Sequence, residues 1–205
     1  IYTQFDTLSL HDALPICVAP AEAIPDWAQV ARLHEPRSRL VVVGGDPAAL
    51  AMAALGAQSG LETTLVRPKG PEAPPPLAGV AYRRDDPAEA LAEIGMDAWT
   101  AVAVASHDLE IDQAALRAAL PSPAFYVGLL GARARLPERL ARLRGAGLGE
   151  AALGRLRAPI GLDIGGKAPW EVAVSVIGEI MAVRYARSSS NTSATAPSAA
   201  ADAPA

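Results

Sequence analysis

Residues 41–51 read VVVGGDPAALA, and no other stretch constrains the fold as strongly. Three β-branched residues suit a strand buried on both faces. A glycine pair allows a tight turn, and the alanine-rich run after it is helical. A strand that turns on glycines directly into a helix opens a βαβ crossover, so a parallel sheet is expected. A dinucleotide-binding fold keeps its phosphate-binding fingerprint at such a turn. Here Gly44 fills the first glycine position and Ala49 the third, but Asp46 stands where the second glycine belongs. A carboxylate at that position repels phosphate. Asp46 and Pro47 also suit the N-cap and first helical position. Capping is the simpler account of the turn, with phosphate binding kept as its rival.

The same alternation continues downstream. Leu40–Val43, Thr63–Val66, Val80–Tyr82, Thr100 onward and Ala124–Leu129 read as strands. Pro47–Ser59, Pro87–Ile94 and Ile111–Leu120 read as the helices between them. Two charged helices are predicted next, over RARLPERLARLRGAG and EAALGRLR, and a final amphipathic helix runs from Trp170 to about Arg187. The fold class is therefore α/β: a Rossmann-like parallel sheet with helices on both faces, in a single domain over residues 38–187.

The ends carry a different signal. Residues 7–16, TLSLHDALPI, are what a common sequencing-adapter oligonucleotide encodes in one frame. Residues 1–37 are accordingly expected to be an adapter-derived segment and linker, which leaves a fragment whose natural chain extends upstream. Residues 188–205 are of low complexity and are expected to be a disordered tail. A net charge of −4 gives no reason to expect nucleic acid or an acidic membrane surface. No apolar run approaches the ~20 residues of a membrane span, so the expected location is cytoplasmic. The single cysteine, Cys17, excludes an internal disulfide, and three scattered histidines offer no metal site.

Ligands of such sheets bind beyond the carboxyl ends of the strands, and each loop there has a chemical character. Arg67, with Lys69 nearby, follows the second strand, where an NAD site usually has an acidic residue; arginine suits phosphate instead. Ser106, His107 and Asp108 follow the fourth strand, and a histidine beside a carboxylate can orient a ligand or exchange a proton. Helix capping explains Ser106 and Asp108 equally well. The loop APIGLDIGGKAP puts Asp163, Gly165, Gly166 and Lys167 just before a helix, where glycines admit close approach and free N–H groups attract anions. A glycine-rich turn closed by Pro169 is the purely structural account.

Taken in order, SHDLEIDQAALRAAL, SPAFYVGLLGARA and APIGLDIGGKAPWEVAVSVIGEI resemble the C-terminal Rossmann-like domain of the XdhC/CoxI family, the xanthine dehydrogenase accessory proteins. The resemblance covers roughly residues 38–185, without the family's N-terminal domain. It implies a cofactor-binding chaperone rather than an enzyme. Such a protein binds the molybdenum cofactor (molybdopterin), a phosphorylated pterin, assists its sulfuration, and inserts it into a xanthine dehydrogenase-type molybdenum hydroxylase apo-enzyme. A cysteine desulfurase is an implied second partner, and a homodimer a further option. The cofactor-binding residues expected on this reading are Gly44, Gly45, Ser106, His107, Asp108, Gly128, Gly131, Asp163, Gly165, Gly166 and Lys167, together with Arg67, which stands where family members usually have an acidic residue. The chain departs from the family's GAGHVA turn with GGDPAA, and its Ala132 replaces a serine after Gly131. Two other classes stay open: an NADP-dependent oxidoreductase using Arg67 and Lys69 for the 2′-phosphate, and a nucleotide-sensing regulatory Rossmann module. A scaffold that binds no ligand is the remaining option.

Overall fold

The structure, a computed structural model, describes residues 36–194, with side-chain surroundings through Arg187. The expected adapter segment and most of the expected tail lie outside these residues. In chain order the elements are β1 (Arg39–Gly44), α1 (Pro47–Gln58), β2 (Glu62–Val66), β3 (Val80–Arg83), α2 (Pro87–Ile94) and β4 (Thr100–Ala105). They continue with α3 (Leu109–Ala119), β5 (Tyr126–Leu129), α4 (Leu136–Gly145), α5 (Glu150–Leu153), β6 (Leu156–Arg157) and α6 (Pro169–Ala194).

The six strands form one sheet in the order β3-β2-β1-β4-β5-β6, and every pairing is parallel. This is the Rossmann order, with its reversal between β1 and β4. There Val43 pairs with Val104 and Gly44 with Ala105, so the first turn and the loop after β4 emerge side by side.

Burial explains why β1 and β4 are central. All of TAVAVA is buried, as is every residue of β1 after Arg39. Leu40 and Val42 face α1 and α6, in a core with Met52, Val176 and Ile180. Val41 and Val43 face the opposite core, with Leu91, Leu116 and Leu143 from α2, α3 and α4. Small residues in β4 and α1 let helix and sheet approach closely, as a doubly wound sheet requires.

The structure corrects the sequence reading on the third quarter of the chain. EAALGRLR, read as one charged helix, is a single short turn followed by a sixth strand, in which Leu156 pairs with Val127 and Arg157 with Gly128. Gly154 ends the turn. Arg155 then reaches across to the carbonyls of Leu120 (2.6 Å), Ser122 (2.5 Å) and Ala124, which draws the chain alongside β5. The other charged run opens as a 3-10 turn at Arg133–Arg135 and becomes α-helical only from Leu136, with Pro137 in its first turn. α3 starts at Leu109, earlier than periodicity suggests, because the Asp108 carboxylate caps the amides of Glu110 and Ile111. The backbone of α6 runs on through Ala194, into the serine-rich stretch expected to be disordered from Ser188.

Candidate functional site

At the reversal of strand order lies a cavity of about 240 Å³. Gly44, Gly45 and Asp46 form its floor, Arg67 and Lys69 one wall, and Ser106 and Asp108 the other. Residues from three separate stretches of sequence therefore converge.

The floor depends on the glycines. Gly44 has φ +148°, and a Cβ there would sit 2.1 Å from the carbonyl oxygen of Ala105. A Cβ on Gly45 would instead meet the Arg67 side chain, 2.1 Å from Nε. The Arg67 stem also lies against Gly70, where a Cβ would be 2.8 Å from its Cγ. Two glycines thus seat one arginine, with its guanidinium lying over the first turn. Among the described residues no carboxylate or carbonyl engages that guanidinium. Lys69, by contrast, is paired with Asp108. That ion pair, aided by the Ile111 amide, holds the Asp108 carboxyl below its ordinary range.

Asp46 has two partners. One oxygen accepts from the Ala49 amide at 2.7 Å and caps α1. The other lies 2.7 Å from Nε2 of His107. To reach it, His107 adopts φ +58°, a left-handed conformation uncommon outside glycine. His107 thus sits on the rim beside Asp46, largely exposed. Ser106 is anchored from below: its hydroxyl donates to Asp112 Oδ1 at 2.5 Å, and Asp112 Oδ2 accepts from Arg139 Nη1 at 2.6 Å. That carboxylate and guanidinium are both buried, and they are the cavity's structural support.

The remaining residues singled out by sequence lie elsewhere. Gly128 is buried in β5 beneath Ile160, whose Cδ1 would stand 2.5 Å from an added Cβ; the glycine makes room for the loop after β6. Gly131 faces Arg139 in a separate, much smaller hollow. Asp163, Gly165, Gly166 and Lys167 belong to a loop that lies back along α6, and none of them lines the cavity. The loop is tied by the Gly161 amide to Glu179 (2.8 Å) and by Ser175 Oγ to the Leu162 carbonyl (2.5 Å). Its most anion-ready donors are already used: the amides of Lys167 and Ala168 both donate to Glu171 Oε2 at 2.9 Å. Those bonds, the one from Ala168 first, hold the Glu171 carboxyl below its ordinary range.

Sequence reasoning missed three features here. The Asp46–His107 contact spans 61 positions and has no local signature. The Asp112–Arg139 pair sits within helices that read as ordinary amphipathic stretches. Glu171, three residues after Ala168 and in the first turn of α6, had the only usable signal, the spacing of a capping-box acid.

Among the described residues no group of three or more His, Cys, Asp or Glu could hold a metal ion, and no helix is long and apolar enough to cross a membrane.

Comparison with known proteins adds an independent finding. The family model described as the XdhC Rossmann domain matches residues 40–180. The protein YqeB of Escherichia coli K12 is 32% identical over 158 residues, covering 74% of this chain and 28% of the relative. A Bacillus subtilis protein named as a probable subunit of xanthine dehydrogenase is 28% identical, covering 73% and 44% respectively. The molybdenum cofactor insertion chaperone PaoD of Escherichia coli K12 is 35% identical over 98 residues, covering 48% and 30%. The chain thus spans less than half the length of these relatives. A crystal structure of a xanthine dehydrogenase from Bacillus halodurans superposes with a TM-score of 0.63 at 24% identity, over 79% of this chain and 46% of that one. That likeness bears on the fold.

Proposed function

Because this chain belongs to the XdhC Rossmann-domain family, we propose that it is an accessory protein of a xanthine dehydrogenase-type molybdenum hydroxylase. It binds the molybdenum cofactor, a phosphorylated pterin, for sulfuration and insertion into the apo-enzyme. The apo-enzyme and a cysteine desulfurase would be its partners, in the cytoplasm. The name of one relative, a molybdenum cofactor insertion chaperone, supports this reading.

The observation that carries the reading to a site is the Arg67 guanidinium: seated by Gly45 and Gly70, without a protein partner among the described residues, and facing the cavity at the strand-order reversal. A planar, permanently charged donor fork suits phosphate oxygens. The residues present therefore fit the phosphate end of the cofactor. The cavity, at about 240 Å³, falls below the ~300–1,000 Å³ of pockets that enclose a whole ligand. It suits the phosphate-bearing end, which leaves the pterin at its open mouth. When bound, the cofactor supplies the redox-active metal to its eventual enzyme. This chain's residues bind and orient: Arg67 takes the phosphate, and Ser106 lies at the cavity wall with its hydroxyl held by Asp112.

Expression of the full chain in a host that makes molybdenum cofactor, followed by native mass spectrometry, tests the reading. A co-purifying adduct of pterin size is the expected result. A nicotinamide dinucleotide adduct would replace it with the NADP-dependent or nucleotide-sensing alternative.

A further inference from the structure

The first turn suggests which phosphorylated ligands the cavity accepts. In a dinucleotide site the pyrophosphate sits on the amides at the start of the first helix. Here that place is already filled. Pro47 has no N–H to offer, and the Ala49 amide is taken by Asp46 Oδ1 at 2.7 Å. The carboxylate therefore brings its own negative charge to the position a pyrophosphate would need, and His107 steadies its second oxygen. At the end of β2 the charge preference reverses: Arg67 has no anionic partner among the described residues, while Lys69 is spoken for by Asp108. One cavity thus rejects an anion at α1 and invites one at the end of β2.

We propose that this cavity selects a terminal phosphate monoester, held by Arg67, and excludes pyrophosphate-bridged ligands through Asp46. The inference rests on the cofactor reading above and sharpens it. The form accepted is the cofactor with a free terminal phosphate, and the form refused is one whose phosphate is joined through pyrophosphate to a nucleotide. Asp46 acts here as a specificity-determining residue. It holds the turn's shape by capping α1 while removing the usual ligand of that shape.

The test uses the full chain and three fluorescent probes: the air-oxidised pterin phosphate prepared from molybdenum cofactor, the same pterin after enzymatic dephosphorylation, and NADH. Binding is read by fluorescence anisotropy for the wild type, Arg67→Ala, Asp46→Asn and Asp46→Gly. Asparagine caps helices about as well as aspartate, so Asp46→Asn removes the charge without endangering α1. The expected pattern has several parts. Removing the phosphate weakens pterin binding about tenfold or more, the size of a charge-assisted contact. Arg67→Ala erases that difference. Both Asp46 variants gain NADH affinity, by a larger factor than any gain for the pterin phosphate. Equal binding of the two pterins, unchanged in Arg67→Ala, would overturn the proposal and leave the pterin reading intact. NADH binding by the wild type with neither pterin bound would overturn both. Gain of NADH in the Asp46 variants with no pterin bound would overturn the cofactor reading and the role given to Arg67, and leave standing only the exclusion by Asp46.

Discussion

At the scale of single residues, Gly44 and Gly45 look interchangeable in sequence and are opposite in consequence. An added methyl at Gly44 runs into backbone, the carbonyl of Ala105 on the neighbouring strand, at a φ that side chains rarely adopt. Nothing there can give way without parting β1 from β4. Gly44→Ala should lower stability by about 2–4 kcal/mol, the sum of overpacking and backbone strain. An added methyl at Gly45 meets the mobile end of Arg67 instead. Gly45→Ala should keep most of the stability and push the guanidinium off its seat. Urea denaturation separates the two, and equal midpoints would show that Arg67 is as unyielding as backbone. The turn's shape was legible from VVVGG alone. That Asp46 answers His107 was not, because a contact between two loops depends on strand order, which no local pattern encodes.

At the scale of elements, what sequence could reveal tracks element length and burial. β1, α1 and β4 announce themselves by long buried or alanine-rich runs. β6 is two residues long, too short to show any period, and exists because Arg155 moors it to the carbonyls around β5. The start of α6 gives the complementary case. Its glycines and lysine read as an anion site, whereas the helix supplies its own anion in Glu171. Because hydrogen bonds depress the Glu171 carboxyl below the ordinary value of 4.5, its contribution is present above that pH and fades as pH falls through the acid range. Glu171→Gln should therefore speed exchange of the Lys167 and Ala168 amides at neutral pH, and the difference from wild type should close as the pH falls through the acid range below 4.5. A gap that persists in acid would mean that packing, not the carboxylate, protects the loop. Between α3 and α4 the buried pair behaves differently. Arg139→Met strands Asp112 without its partner and should cost about 3–5 kcal/mol. Adding Asp112→Leu should recover much of that loss, as a thermal double-mutant cycle would reveal, but the Ser106 hydroxyl would lose its acceptor.

At the scale of the whole molecule, the last helix is locked to the far edge of the sheet through one carboxylate. Glu179 on α6 accepts from the Tyr126 phenol of β5 (2.5 Å), from Arg157 of β6 (3.1 Å), and from the Gly161 amide in the loop between β6 and α6 (2.8 Å). Three donors, one from β5 and two from β6 and the loop just after it, thus share a single carboxylate on α6, and the glycine-rich loop stays laid along that helix. Burial first, then the bond to Glu179, pushes the Tyr126 phenol well above its ordinary pKa of 10.0. Since the folded value is raised, the unfolded chain gives up the proton first. The phenol's contribution is complete below about pH 10 and declines as pH rises beyond it. Tyr126→Phe removes the donor and should cost about 1.5–3 kcal/mol at neutral pH, the range for a hydrogen bond to a charged group. The variant should also lose stability less steeply than wild type above pH 10, so that the two denaturation curves converge in alkali. Parallel curves would place the shared acceptor's strength in Arg157 and Gly161, and would predict that Arg157→Ala, not Tyr126→Phe, frees the loop from α6.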